Sequence, residues 1–202
     1  MTISGKEVKD VQVKLRVNAI IKNLNLKKSD KILDLCCGNG MITKELASHV
    51  SHIYAIDFSR GLIETAKNNN KLSNITYMVG DITKVNYRKF KGIKKISVSS
   101  CIQYLSSKNL LKFLRRIAEL DNVLMYASNI PDKKKIWYYY NTEEKKAFYL
   151  NSIEKGTPHI GTWFDKIKLK NMAAKCGLKT KFIKIEKSRN TSSYRFDVIF
   201  KK

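Results

Sequence analysis

Residues 31–43, Lys-Ile-Leu-Asp-Leu-Cys-Cys-Gly-Asn-Gly-Met-Ile-Thr, restrict the fold more than any other part of the chain. Ile32, Leu33 and Leu35 form a short apolar run of the kind shown by a strand buried on both faces. Gly38 and Gly40 bracket Asn39, a cluster that ends a strand and permits positive φ. Beyond it Ile42, Leu46 and Val50 recur at helical spacing, which predicts a helix starting at the loop. Loop amides and a helix N-terminus together make a site for a negative group, a carboxylate or a phosphate.

Two further strands end in acids. His52-Ile-Tyr-Ala-Ile-Asp57 is an apolar strand closing on a carboxylate 17 positions after Gly40. An acid so placed can take both hydroxyls of a ribose. Ile75-Thr-Tyr-Met-Val-Gly-Asp81-Ile82 is a third strand running into an acidic turn. The dinucleotide fingerprint Gly-x-Gly-x-x-Gly is not met, because its best register reads Cys36, Gly38 and Met41.

The loop instead resembles motif I of the class I S-adenosylmethionine-dependent methyltransferases, acidic-x-Gly-x-Gly-x-Gly. Asp34, Cys36, Gly38 and Gly40 occupy its specified positions. Cys36 departs from the first glycine, and a small side chain there is compatible with the loop if the residue keeps negative φ. The resemblance covers residues 26–202 in element order and is specific only in these three motifs. It implies S-adenosylmethionine as cofactor. Asp34, Cys36, Gly38, Asn39 and Gly40 would hold its methionine part and Asp57, followed by Phe58, its ribose. Asp81 and Ile82 would flank the adenine, and Ser99, after the fourth strand, completes the expected set.

Taken in order, the remaining chain reads as strand and helix in alternation. Residues 6–24 form an amphipathic helix on Val13, Val17, Ile20, Ile21 and Leu24. A helix over 41–50 follows the first strand, and Ser59 caps the helix burying Leu62, Ile63 and Ala66. Strands over 96–100 and 122–128 flank a helix over 108–120 with Leu110, Leu114, Ile117 and Ala118 on one face. Thr162 and Asp165 read as a capping box for a helix on Leu169, Met172, Ala173 and Cys176, which Gly177 stops. Runs over 178–186 and 194–200 read as an antiparallel hairpin. The predicted fold is α/β: a Rossmann-like seven-stranded sheet, mostly parallel with a C-terminal antiparallel hairpin and helices on both faces. The closing hairpin is what the methyltransferase fold adds to such a sheet. One domain over 1–202 is expected, with 131–162 as a lid or substrate insertion.

At 202 residues and 43% hydrophobic content a single core can form. No apolar run reaches the roughly 18 residues of a membrane span, and the first twenty residues lack a signal-peptide pattern, so a cytoplasmic protein is expected. Four cysteines without paired metal-ligand spacing read as free thiols, and no metal site is expected. The net charge of +23 comes from 40 basic residues, only seven of them Arg. Planar guanidinium groups are what phosphate and base recognition favour. The charge therefore reads either as a solvated lysine surface or as attraction for an anionic partner, with RNA as one alternative.

In open α/β sheets ligands lie beyond the carboxyl ends of the strands. The acceptor is accordingly expected over the fourth and fifth strands and under the insertion, where lysines interleave with aromatics at Lys133–Tyr140. The Asn/Asp-Pro-Pro-aromatic tetrapeptide of adenine-N6, cytosine-N4 and glutamine methyltransferases is absent, Ser99-Ser-Cys-Ile standing in its place. Candidate acceptor-binding residues are Gln103, Tyr104, Asn129, Trp137, Tyr140, His159 and Trp163. Candidate general bases are His159, then Tyr104 and Glu144. Methyl transfer to oxygen or nitrogen of a small polar acceptor, sugar-containing or phosphorylated, is the expected activity. RNA methylation and a non-catalytic cofactor-binding partner subunit are the alternatives.

Overall fold

The computed structural model describes residues 2–3, 6–7 and 10–202, with side chains from residue 10 onward. A two-stranded ribbon, β1 (Thr2–Ile3) and β2 (Lys6–Glu7), precedes helix α1 (Asp10–Leu24). The helix expected from residue 6 thus starts later, with Lys6 and Glu7 paired to the ribbon; residues 8 and 9 lie outside the described residues.

Then come β3 (Lys31–Leu35), α2 (Met41–Ala47), β4 (His52–Asp57), α3 (Arg60–Asn69), β5 (Ile75–Val79) and β6 (Lys95–Ser99). They are followed by α4 (Ser107–Ala118), β7 (Leu124–Pro131), α5 (Ile136–Tyr139), α6 (Glu143–Glu154) and α7 (Lys166–Ala174). β8 (Lys179–Lys184) and β9 (Arg195–Lys201) close the chain. Seven strands form one sheet in the order β5-β4-β3-β6-β7-β9-β8, parallel except for the two antiparallel contacts of β9. The order reverses between β3 and β6, and that pair defines the crevice where a doubly wound sheet binds ligands.

The sheet is covered on both faces. Val17, Ile20 and Leu24 of α1 pack with Leu46 of α2 and Ile63 of α3 in one apolar layer. Leu110, Phe113, Leu114 and Ile117 of α4 pack with Leu169 and Ala173 of α7 in the other. Phe113 is fully buried and Ala118 only partly so, because four apolar residues at i, i+3, i+4 and i+7 cover this face and Ala118 falls at its margin. Each such large side chain contributes roughly 1.5–3 kcal/mol.

At the capping site before α7, Asp165 rather than Thr162 is the cap, its carboxylate accepting from Ile167 N and Lys168 N. The Thr162 amide instead donates to the Gln103 carbonyl at 2.8 Å, tying the loop before the helix down onto the turn after β6.

The closing hairpin is locked by a buried polar knot. Asp197 accepts from the Tyr126 hydroxyl, from the Asn129 amide at 2.7 Å and from the Arg189 guanidinium. Arg189 and Asp197 are 3% and 1% exposed in their side chains, so this ion pair stands out of water. Asn129 is held on every side: its side chain donates to Ser100 Oγ and accepts from Thr191 Oγ1, and its carbonyl accepts from Arg195.

The segment 131–162 leaves and returns at one point, where Phe164 N donates to Pro131 O and Lys133 N to Phe164 O. Its ring stretch splits by exposure: Trp137 and Tyr138 face solvent, while Tyr140 is buried among Ile160, Trp163 and Tyr194. No described helix is long and apolar enough to cross a membrane.

Candidate functional site

The carboxyl ends of β3, β4 and β5 set three carboxylates along one rim. Asp34 is 2% exposed, and Thr43 of α2 donates to it at 2.6 Å. Burial pushes its carboxyl up to about 6; the Thr43 hydrogen bond works against that rise and the Asp57 charge adds to it. Asp57 is 5% exposed and accepts the Gly38 amide on Oδ2 and the Ser59 amide on Oδ1, both at 2.9 Å. Each carboxylate oxygen keeps a second lone pair, so two hydroxyls can still be bound. Asp81 is the most open of the three. Burial alone would raise its carboxyl, but the Thr83 amide and hydroxyl and the Lys84 ammonium outweigh it and hold it below the ordinary range.

The glycine loop differs from its expected anion cradle. Cys37 N donates to Ile56 O, Gly38 N to Asp57 and Gly40 N to Cys37 O, so these amides shape the loop instead of facing a ligand. The reason is the neighbouring strand: Ile56 and Asp57 at the end of β4 lie against the loop and take its donors.

Gly40, at φ 76, is pressed against β5: a Cβ there would come within 2.5 Å of Tyr77 Oη and 3.0 Å of Asn70 Nδ2. Gly38, at φ 56, has nothing within 4 Å of its Cβ position and opens onto a cavity. Cys36 has φ 58, contrary to the negative φ expected of it. Its sulfur forms a disulfide with Cys101, which corrects the reading of four free thiols. The physical reason is strand order. β3 and β6 are adjacent and parallel, so residues 65 apart in sequence leave the sheet side by side, with Cα atoms 6.1 Å apart. Cys37 and Cys176 remain free.

Two cavities occupy the rim. One of about 310 Å³ is lined by Asp34, the Cys36–Asn39 loop, Met41, Ile42, Leu62 and Ser99. The other, about 750 Å³, is lined by Asp57, Phe58, Asp81, Ile82, Cys101 and Tyr104 among others. Both fall within the usual size range of ligand pockets, and they share the walls formed by Cys36 and Leu62. The donor set fits an adenosyl-amino-acid. A buried carboxylate lies in the first cavity, and in the second lie a ribose-type acceptor and an exposed acid beside the apolar Ile82.

The acceptor and base candidates scatter. Tyr104, 65% exposed, lines the larger cavity. His159 and Glu144 are exposed and line neither cavity. The His159 ring meets Phe148 edge-on, and Glu144 sits in the first turn of α6, where the Thr142 hydroxyl holds its carboxyl low. Trp137 stands edge-on to Tyr149 at the surface. Gln103, Tyr140 and Trp163 are buried, and Gln103 Oε1, Tyr140 Oη and Trp163 Nε1 have no hydrogen-bond partner among the described residues. Asn129 is buried in the hairpin knot, where its backbone amide, its carbonyl and both ends of its side chain each already hold a hydrogen bond. Leu62, on α3, and Cys101, after β6, line the cavities although the sequence does not single them out as site residues. Among the described residues no group of three or more His, Cys, Asp or Glu could hold a metal ion.

The fold and rim define a Rossmann-like α/β protein with its cavities at the carboxyl ends of the strands around the β3–β6 switch. Residues 32–121 match a family model described as a methyltransferase domain, and this part of the chain is similar to the class I S-adenosylmethionine-dependent methyltransferases. It is 29% identical over 106 residues to a probable ribosomal RNA small subunit methyltransferase A of Pyrococcus furiosus, a match covering 52% of this chain and 37% of that protein. It is 24% identical over 132 residues to a malonyl-[acyl-carrier protein] O-methyltransferase of Bacillus anthracis, covering 62% of this chain and 48% of the relative. The chain thus spans less than half the length of these curated relatives. Among solved structures, the methyltransferase domain of bacterial-CtHen1-CN superposes with a TM-score of 0.70 at 22% identity, over 95% of this chain and 99% of that one.

Proposed function

We propose that the protein transfers the methyl group of S-adenosylmethionine to an oxygen or nitrogen of a small polar acceptor bearing an anionic group, such as a phosphorylated sugar. The observation that carries the reading is the rim itself: two adjoining cavities that share Cys36 and Leu62 as walls, with Asp34 in one and Asp57 and Asp81 in the other. Asp34 and the loop around Gly38 would hold the amino-acid end, Asp57 the ribose, and Asp81 with Ile82 the adenine. The cofactor supplies a methyl group on a cationic sulfur, a good leaving group. The protein's part is then chiefly alignment, which can contribute roughly 7–11 kcal/mol. Of the three base candidates only Tyr104 is at the cavity, so a base-assisted step would run through its hydroxyl.

The anionic acceptor is supported by orphaned groups beneath the 131–162 segment. Tyr140 Oη and Trp163 Nε1 sit in one ring cluster, their centroids 5.9 Å apart, and the Arg195 guanidinium lies 5.2 Å from the Tyr194 ring beside them. A buried donor left unmatched costs about 1–3 kcal/mol, which an acceptor oxygen would recover. Thermal-shift comparison of S-adenosylhomocysteine with NAD tests the cofactor. Labelled-methyl transfer into fractionated extract tests the acceptor. Unchanged turnover of phosphorylated acceptors after Lys133→Ala, Lys134→Ala and Lys135→Ala together would remove the phosphate from the reading.

One observation favours RNA as a second reading. Lys108, Lys112 and Arg115 follow one another along the solvent face of α4 and line a groove of about 630 Å³. Asn109 lines both this groove and the larger cavity. The groove's one carboxylate, Glu119, is paired with Arg88 at 3.4 Å. Changing the three basic residues to Glu should flatten the salt dependence of RNA binding by about one unit of slope per lost phosphate contact. An unchanged slope would dismiss this reading.

A further inference from the structure

The geometry points to a thiol–disulfide gate between the two halves of the cofactor cleft, formed by Cys36 and Cys101 and controlling whether an adenosyl-amino-acid can bind. The inference rests on the cofactor reading above. Its starting point is that one ligand must occupy both cavities, while Cys36 stands in the wall they share. Its sulfur is bonded to Cys101, which lines the larger, adenosine-side cavity. The bridge therefore stands at the boundary that such a ligand has to span.

Three observations support a switch over a passive staple. First, Cys36 occupies a position where the backbone is in the left-handed region, φ 58, which glycine adopts without strain and a side chain does not. Ser100, next to the other half-cystine, has φ 52. Two of the chain's positive-φ residues other than glycine thus flank the bridge, as strained positions do at functional sites. Second, both cysteines are half-buried, so a small thiol reagent can reach them. Third, the bridge is not needed to join the two strands. β3 and β6 already pair over four registered residues within a sheet covered on both faces. Neighbouring Cys37 is a poor competitor, since burial, with Asp34 and Asp57 nearby, pushes its thiol well above the ordinary value.

The step is ordinary exchange. The Cys36 and Cys101 thiols each give up a proton and together two electrons to an external disulfide. The new bond is Sγ–Sγ between them; the bond broken is the S–S of the reagent, which leaves as two thiols. A dithiol reductant runs it backward. Oxidised, the cleft is partitioned; reduced, the two cavities join.

The test measures affinity for S-adenosylhomocysteine by titration calorimetry on the full chain, kept in a dithiol reductant or oxidised with a small-molecule disulfide. Mass spectrometry counts free thiols in each sample. The four cysteines should all be free after reduction, and only Cys37 and Cys176 after oxidation. Reduced protein should bind at least about tenfold more tightly than oxidised protein, and in Cys101→Ser the affinity should no longer respond to oxidant. Equal affinity in the two states, with the bridge verified by mass, overturns the gate and leaves the cofactor reading standing. Failure of a Cys36–Cys101 bridge to form under oxidation overturns it as well. Failure of the reduced protein to bind at all removes the cofactor reading and the gate with it.

Discussion

The two glycines of the loop after β3 should respond to the same substitution in opposite ways. Gly40 combines φ 76 with a Cβ position 2.5 Å from Tyr77 Oη and 3.0 Å from Tyr77 Cζ. Alanine there meets left-handed strain of about 1–2 kcal/mol and an overpacking penalty of about 1–3 kcal/mol. Gly40→Ala should therefore lower stability by about 2–5 kcal/mol, a large part of the 5–15 kcal/mol typical of a domain. Adding Tyr77→Phe removes the hydroxyl but not Cζ, so it should restore part of the loss and leave the backbone strain. Gly38→Ala has no neighbour to meet, so its cost should stay near the backbone strain alone while its methyl protrudes into the smaller cavity. Urea denaturation gives the stabilities, and titration with S-adenosylhomocysteine gives the affinities. The reasoning is refuted if Gly40→Ala costs less than about 1 kcal/mol, or if Gly38→Ala keeps full affinity.

Three further outcomes are expected. Asp197→Asn leaves the buried Arg189 charge uncompensated and should cost about 3–5 kcal/mol in denaturant unfolding; a loss within the noise would show that the knot contributes little. The Asp34 carboxyl titrates near 6 when folded against 3.8 when free. Between those values the folded state holds a proton that the unfolded state has released. Stability should fall by roughly 3 kcal/mol as pH rises through that window, and Asp34→Asn should flatten the pH profile there. Tyr104→Phe should lower turnover by about 10²–10⁴-fold if its hydroxyl is the base, with little change in cofactor affinity; unchanged turnover would mean alignment alone suffices.

The parallel half of the sheet was legible because strands buried on both faces appear as unbroken apolar runs. The acids at their ends interrupt those runs at places no core would choose. The positions of Asp34, Asp57 and Asp81 on one rim are thus legible in the sequence. What stayed hidden depends on which strands are neighbours. The Cys36–Cys101 bridge follows from β3 lying beside β6, and pairing across 65 residues leaves no local signal. Asn129 reads from sequence as an acceptor ligand after the fifth strand, yet the hairpin that returns beside β7 binds its amide, its carbonyl and its side-chain oxygen. Helix ends shifted for a similar reason: Thr162 could cap α7 from sequence, but its amide is held by Gln103 and the capping passes to Asp165. His159 and Glu144 have the chemistry of a base and lie in the 131–162 segment, yet both are exposed and line neither cavity.

The most direct measurement is a crystal structure of the reduced protein soaked with S-adenosylhomocysteine. The account predicts continuous density running from Asp34 past Gly38 to the Asp57 carboxylate, with the purine ring beside Asp81 and Ile82. Density lodged elsewhere on the protein, or a bare rim at a saturating concentration, would contradict it.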